Sequence, residues 1–192
     1  MTDVNRVNQV HDVRRLAPIP YEDWDADVLD AISVLAPGRK MPPSNVLGLL
    51  GQHPALARAF LTFNKHLLFE STLPAKTREL AILRVAWRRR CRYEWAQHVL
   101  IAKRAGITDE EIARARAETP DTTLARAVDE LDTDSRLSDQ TYAELSFELD
   151  DRQLMDLVFT VGAYGLLGMA FNTFEVELDP GLSADEFDEV GG

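Results

Sequence analysis

Within eight positions, CRYEWAQH at 91–98, the chain gathers its only cysteine, a carboxylate, two large aromatics and one of its four histidines. On a helix Cys91, Glu94 and His98 stand at i, i+3 and i+7 and share a face, because successive residues turn by about 100°. That face continues through Ile101, Ala102 and Ala105, so the polar group opens an otherwise apolar stripe. Twelve residues before Cys91, Glu79 heads a second stripe with Ile82, Leu83 and Ala86, and its carboxylate is expected to point inward. A buried carboxylate must be paired, hydrogen-bonded or protonated, since burying a bare charge is expensive. His98 is the available partner. Along a helix axis Glu94 lies roughly 6 Å from His98 and Cys91 roughly 10 Å, so the imidazole reaches the carboxylate more easily than the thiol.

Two chemistries fit these residue types. An imidazole whose tautomer is fixed by a carboxylate is a general acid or base. A thiol near a helix N-terminus, with Arg90 and Arg92 beside it, has surroundings that lower its pKa and let it attack peroxide through a sulfenate. With one cysteine, that route needs an external thiol reductant. Each residue also has a plainer reading. His98 alone is a hydrogen-bonded core residue, Cys91 a small buried hydrophobe, and Glu94 with His98 a surface pair. Trp87 and Trp95 read as packing, and arginines 84, 88, 89, 90 and 92 as a solvated or salt-bridged face. Glu79, Glu94 and His98 could ligate a metal, but three candidates from two helices lack the count and spacing of a zinc or di-iron site. No metal and no cofactor is expected.

The elements that must position these groups are helical throughout, for no stretch alternates apolar and polar residues as a half-buried strand does. Val28, Leu29, Ile32 and Leu35 form a stripe over 25–35. Ser44 caps a short helix to Gly51, Pro54 opens one reaching Glu70, and Pro74 opens AKTRELAILRVAWRR. Gly106 suits a helix end, and Thr108 with Glu111 forms a capping box. TTLARAVDELD is a further helix, Ser138 starts a short acidic one, and Asp150 with Gln153 caps a long apolar one. The stretch 154–171 approaches membrane-span length, but Asp156 interrupts it, and it reads as a buried core helix. These boundaries predict an N-terminal arm and helix at 1–43, a helical domain at 44–178 and a loose acidic tail at 179–192.

Hydrophobic residues make up 45% and charged residues 28% of the 192, values of a globular chain with a real core. A formal charge of −11 disfavours nucleic acid and anionic membranes, which demand clustered Lys and Arg. One cysteine cannot form an internal disulfide, and MTDVNRVNQVHDVRR lacks the apolar core of a signal peptide, so the cytoplasm is the expected compartment.

The segment TRELAILRVAWRRRCRYEWAQHVLIAKRAGITDEEIARA resembles the core motif of the carboxymuconolactone decarboxylase and alkylhydroperoxidase superfamily, and LGMAFNTFEVELD, with Asn172, resembles its closing segment more loosely. The resemblance implies an all-α bundle assembled as a trimer or hexamer. Peroxidase members resemble Glu…Cys-x-x-Cys-x-x-x-His; here Glu94 replaces the second cysteine, so the reactive pair is missing. The lactone decarboxylase branch keeps Glu-x-x-x-His without needing cysteine. It implies cofactor-free proton transfer on a small carboxylate or lactone, with His98 as acid or base, Glu94 fixing its tautomer and Glu79 as a second proton carrier or orienting group. Arg92, or with less weight Arg78, would fork a substrate carboxylate, while Tyr164 and Asn172, with Leu73 and Phe171, shape the pocket. The alternatives are a single-cysteine, peroxiredoxin-like peroxidase on Cys91, and a non-catalytic cluster that specifies packing in a homo-oligomer.

Overall fold

The computed structural model describes residues 15–188; most of the N-terminal arm's leading segment and the last four residues lie outside it. No strand occurs among the described residues, and the fold is all-α as expected. The N-terminal layer consists of α1 (Ala26–Ile32), α2 (Asn45–Gly51) and α3 (Pro54–Lys65). Asp25 caps α1 by accepting from the Val28 N–H at 2.9 Å, and Ser44 caps α2 through Leu47. Val28, Ala31 and Ile32 of α1 bury against Ala57 and Leu61 of α3, with Trp24 closing the cluster. α3 continues as a π-helical turn, His66–Glu70, so the predicted helix to Glu70 is present with a widened last turn.

The site-bearing layer is α4 (Ala75–Arg88) and α5 (Arg92–Arg104), an antiparallel pair packed on α7 (Thr123–Asp134) and on α9 (Asp151–Thr173). Ile82 and Val85 of α4 meet Val128 of α7 and Leu157, Val161 and Phe171 of α9 in one core. Pro74 is the residue before α4 rather than its first turn. Between α4 and α5 the chain reverses in three residues: Arg90 adopts φ +51°, its N–H bonds the Trp87 carbonyl at 3.0 Å, and the Cys91 N–H bonds the Ala86 carbonyl at 2.8 Å. This is a left-handed helix ending of the kind glycine usually makes. The short helix α6 (Asp109–Arg114) packs on α4 and α5, α8 (Asp139–Leu145) packs on α7, and both predicted capping boxes, Thr108–Glu111 and Asp150–Gln153, are formed.

The tail departs from expectation. Over 179–188 it is ordered by contacts: Asp179 accepts from the Tyr93 hydroxyl at 2.5 Å and from the Asn45 N–H at 2.7 Å, and a last turn, α10 (Asp185–Asp188), inserts Phe187 between Trp87 and Trp95 at ring distances of 4.7 and 5.7 Å. The acidic composition concealed Ala184 and Phe187, whose burial outweighs the ordering cost of a short segment. α9 is the one described helix long and apolar enough to cross a membrane, and 61% of its most apolar window is buried inside the fold. Its interrupting Asp156 accepts from the Thr72 N–H at 2.6 Å, the Thr72 hydroxyl at 2.7 Å and Ser71 at 3.1 Å, and pairs with His66.

Candidate active site: a buried histidine between two carboxylates

Because α4 and α5 are joined by a tight reversal, residues about equally far from it face each other, which brings Glu79 opposite His98. The His98 Nδ1 lies 2.7 Å from Glu79 Oε2, and Nε2 lies 3.3 Å from Glu94 Oε2, one helical turn earlier on α5. The Arg78 Nε donates to the other Glu79 oxygen at 3.0 Å. Tyr164 of α9 sets its ring edge-on to the imidazole, with centroids 4.9 Å apart and planes at 89°. Glu79 is 0%, His98 4% and Glu94 6% exposed, so the arrangement is almost wholly enclosed by its own chain. α9 approaches this closely because Gly168 lacks a side chain; a Cβ there would sit 3.2 Å from Arg89 Cβ and 3.7 Å from Cys91 Cβ.

Opposed electrostatic effects set the protonation states. Burial alone would push the His98 pKa down, but hydrogen bonds and charge from Glu79 and Glu94 outweigh it and bring it up to about 9. That direction favours the protonated ring, which can donate from both nitrogens. Burial pushes the Glu79 carboxyl up, and His98 and Arg78 together overcome it, holding the group below its ordinary range. Tyr164 is kept protonated well past its usual titration by burial and by the two carboxylates. Glu79, Glu94 and His98 are the potential metal ligands here, but both ring nitrogens already face carboxylates, and no metal-holding group of three is found among the described residues.

Cys91 is not the thiol that the spacing suggested. It is the N-cap of α5 rather than part of its first turn, it is 1% exposed, and burial followed by the Glu94 charge pushes its pKa up to about 12. The helix N-terminus and nearby arginines were expected to lower it; removal of the sulfur from water dominates instead. Arg92 and Asn172 are exposed and line a surface groove with Arg90, Cys91, Tyr93 and Glu175, and the Asn172 amide donates to the Arg89 carbonyl at 2.7 Å. The expected substrate contacts thus divide: Tyr164 joins the histidine, whereas Arg92 and Asn172 belong to the groove behind Cys91. Leu73 and Phe171 are core residues. Arg78, given less weight than Arg92 in the sequence, is the guanidinium that reaches the cluster.

Residues 54–130 match the carboxymuconolactone decarboxylase family. The matched region runs from α3 into α7 and contains Glu79, Cys91, Glu94 and His98, while Tyr164 comes from α9 beyond it. Two solved structures share the architecture. An uncharacterized peroxidase-related protein from Silicibacter sp. TM1040 superposes with a TM-score of 0.69 at 14% identity, covering 88% of this chain and 93% of that one. The debrominase Bmp8 in its apo form superposes with a TM-score of 0.65 at 16% identity, covering 95% of this chain and 98% of that one. At such identities they speak for the fold. No curated protein matches the chain.

Proposed function

We propose that the protein is a cofactor-free proton-transfer enzyme acting on a small carboxylate or lactone, with His98 as its acid and base. The carrying observation is the asymmetry of the imidazolium. Nδ1 is anchored at 2.7 Å to a Glu79 that Arg78 also holds, whereas Nε2 is only loosely engaged by Glu94 at 3.3 Å. The Nε2 proton is therefore the transferable one. In a decarboxylation, the electron pair of the broken C–C bond delocalises onto the substrate carbonyl oxygen, CO₂ leaves, and the resulting carbanion takes the Nε2 proton; Glu94 relays a replacement from water. Tyr164, kept protonated, is the neighbouring hydroxyl suited to donate to the developing enolate oxygen. Arg78, whose guanidinium reaches the cluster, is the nearer candidate fork for a substrate carboxylate, and Arg92, in the groove behind Cys91, is the other.

The test is turnover of a panel of small lactone carboxylates, followed by CO₂ release. His98→Ala is expected to lose 10²- to 10⁴-fold in rate, the usual range for removal of a general acid, and Cys91→Ser to lose almost none. Full activity without His98 would refute the reading. A sulfenate on Cys91 after peroxide treatment at neutral pH would favour single-cysteine peroxidase chemistry in its place.

A further inference from the structure

His98 and its two carboxylates are enclosed, so a proton spent there has to be replaced through protein. The buried face of α9 that reaches the imidazole is polar at three successive turns. Asp156, Thr160 and Tyr164 follow at i, i+4 and i+8, which sets Thr160 midway, about 6 Å of helix rise and about 40° from each of the others. At the inner end the Tyr164 ring meets His98 edge-on, and Glu94 is its strongest charged neighbour. At the outer end Asp156 Oδ1 lies 3.0 Å from Nε2 of His66, a ring that is half exposed on the π-helical turn after α3. Surface and site are thus joined by one line of groups that can hold or pass a proton.

The middle of that line is what points to water. Among the described residues two buried side-chain atoms lack a hydrogen-bond partner, Thr160 Oγ1 and Asn64 Oδ1. Both belong to one junction, for each follows by one residue a member of the Phe63–Phe159 ring pair, where α3 meets α9. Ordered water is the usual partner of such atoms. The spacing suits it, because two hydrogen bonds of about 2.8 Å laid end to end span about 5.6 Å, close to one step along this face. Asp156 has room for the same partner. Its Oδ2 accepts from Ser71 and twice from Thr72, whereas Oδ1 has His66 alone and keeps a lone pair to accept from water. Water, the threonine hydroxyl and the phenol each donate and accept, so each can take a proton on one side as it gives one on the other.

Building on proton transfer at His98 as the activity, we propose that this face of α9 is the path that reprotonates the site, from His66 through Asp156, Thr160 and Tyr164 by way of single ordered waters. One proton enters at His66 and one arrives at Nε2 through Glu94; every group between accepts one and releases one, and no electrons move. The exchange rate of the His98 Nε2 proton with solvent, followed by nitrogen-15 NMR, reads the path without any substrate. Thr160→Val keeps the shape and removes the hydroxyl; it should slow exchange about tenfold, and Thr160→Ser should restore it. His66→Ala should slow exchange as well. Imidazole added to the buffer should rescue His66→Ala but not Thr160→Val, whose break lies deeper. In turnover, Thr160→Val should lower kcat with KM unchanged and enlarge the effect of heavy water. Unchanged exchange in Thr160→Val, slow exchange that Thr160→Ser leaves slow, or a fall in kcat with normal exchange would each overturn the path. So would a higher melting temperature for Thr160→Val, the result for a buried hydroxyl that has no partner at all. If Thr160→Val fails to fold, His66→Ala decides: normal exchange, or slow exchange that imidazole leaves slow, overturns the path. Absence of turnover on every substrate would defeat the proton-transfer reading, whereas the exchange rates judge the path by themselves.

Discussion

At the scale of single residues, the chemistry rests on how His98 is charged, and that charge is coupled to folding. Its pKa is raised from an ordinary 6.5 to about 9 in the folded chain, so its stabilising contribution is complete below about pH 6.5 and disappears as pH rises through 9. Glu79 has the opposite sign: its lowered pKa contributes above an ordinary 4.5 and is lost as acid protonates it. The raised histidine corresponds to on the order of 3 kcal/mol. Chemical denaturation from pH 6 to 10 should therefore show the wild-type chain converging on His98→Gln through the alkaline range. Parallel curves would mean that the folded ring is neutral at pH 7, and a neutral ring could not serve as the resting acid. Glu94 and His98 were legible from their i, i+4 spacing, and Glu79 from the apolar stripe that follows it. Arg78 was harder to read, because it precedes Glu79 by one residue and helical periodicity assigns it to another face; only the bend of its long side chain returns the guanidinium. The thiol's environment was misjudged because charge neighbours can be read along a sequence, whereas desolvation depends on what α9 lays over Cys91.

At the scale of elements, local signals worked wherever a side chain satisfies its own backbone. Ser44, Thr108, Ser138 and Asp150 each cap the helix they were expected to start, because a cap bond needs only residues three apart. Helix ends without glycine were less legible. Arg90 and Ser135 both terminate helices with positive φ, at +51° and +58°, and neither residue type announces it. For Ser135, at the end of α7, this gives a test separate from the candidate site. A left-handed non-glycine residue costs about 1–2 kcal/mol, and glycine returns about 0.5–1 of that through the freer unfolded chain. Ser135→Gly should thus stabilise by roughly 0.5–1 kcal/mol, about 1–4 °C in Tm for a chain of this size. A lower Tm would show that the serine side chain contributes more than its backbone strain costs.

At the scale of the whole molecule, the C-terminal segment joins parts that the sequence kept separate. Asp179 ties Asn45 of α2 to Tyr93 and Gln97 of α5, and Phe187 completes an aromatic group with Trp87 of α4 and Trp95 of α5. Such links span up to 134 positions along the chain, beyond any local pattern, and a reading by composition saw only acidic residues there. Trp95 neighbours Glu94, so the tail braces the helix that presents Glu94 and His98. Replacing a buried phenylalanine with alanine costs about 3–5 kcal/mol when the space cannot collapse, and less at a chain end that can shift. Phe187→Ala is therefore expected to lower stability by about 2–3 kcal/mol and to move tryptophan emission to longer wavelength as water reaches Trp87 and Trp95. If the brace also sets the Glu94–His98 geometry, turnover should fall while Glu79, held by Arg78 on α4, keeps its place. A tail with no such role would leave melting temperature, emission and turnover at their wild-type values, and α5 would then owe its position to α4 and α9 alone.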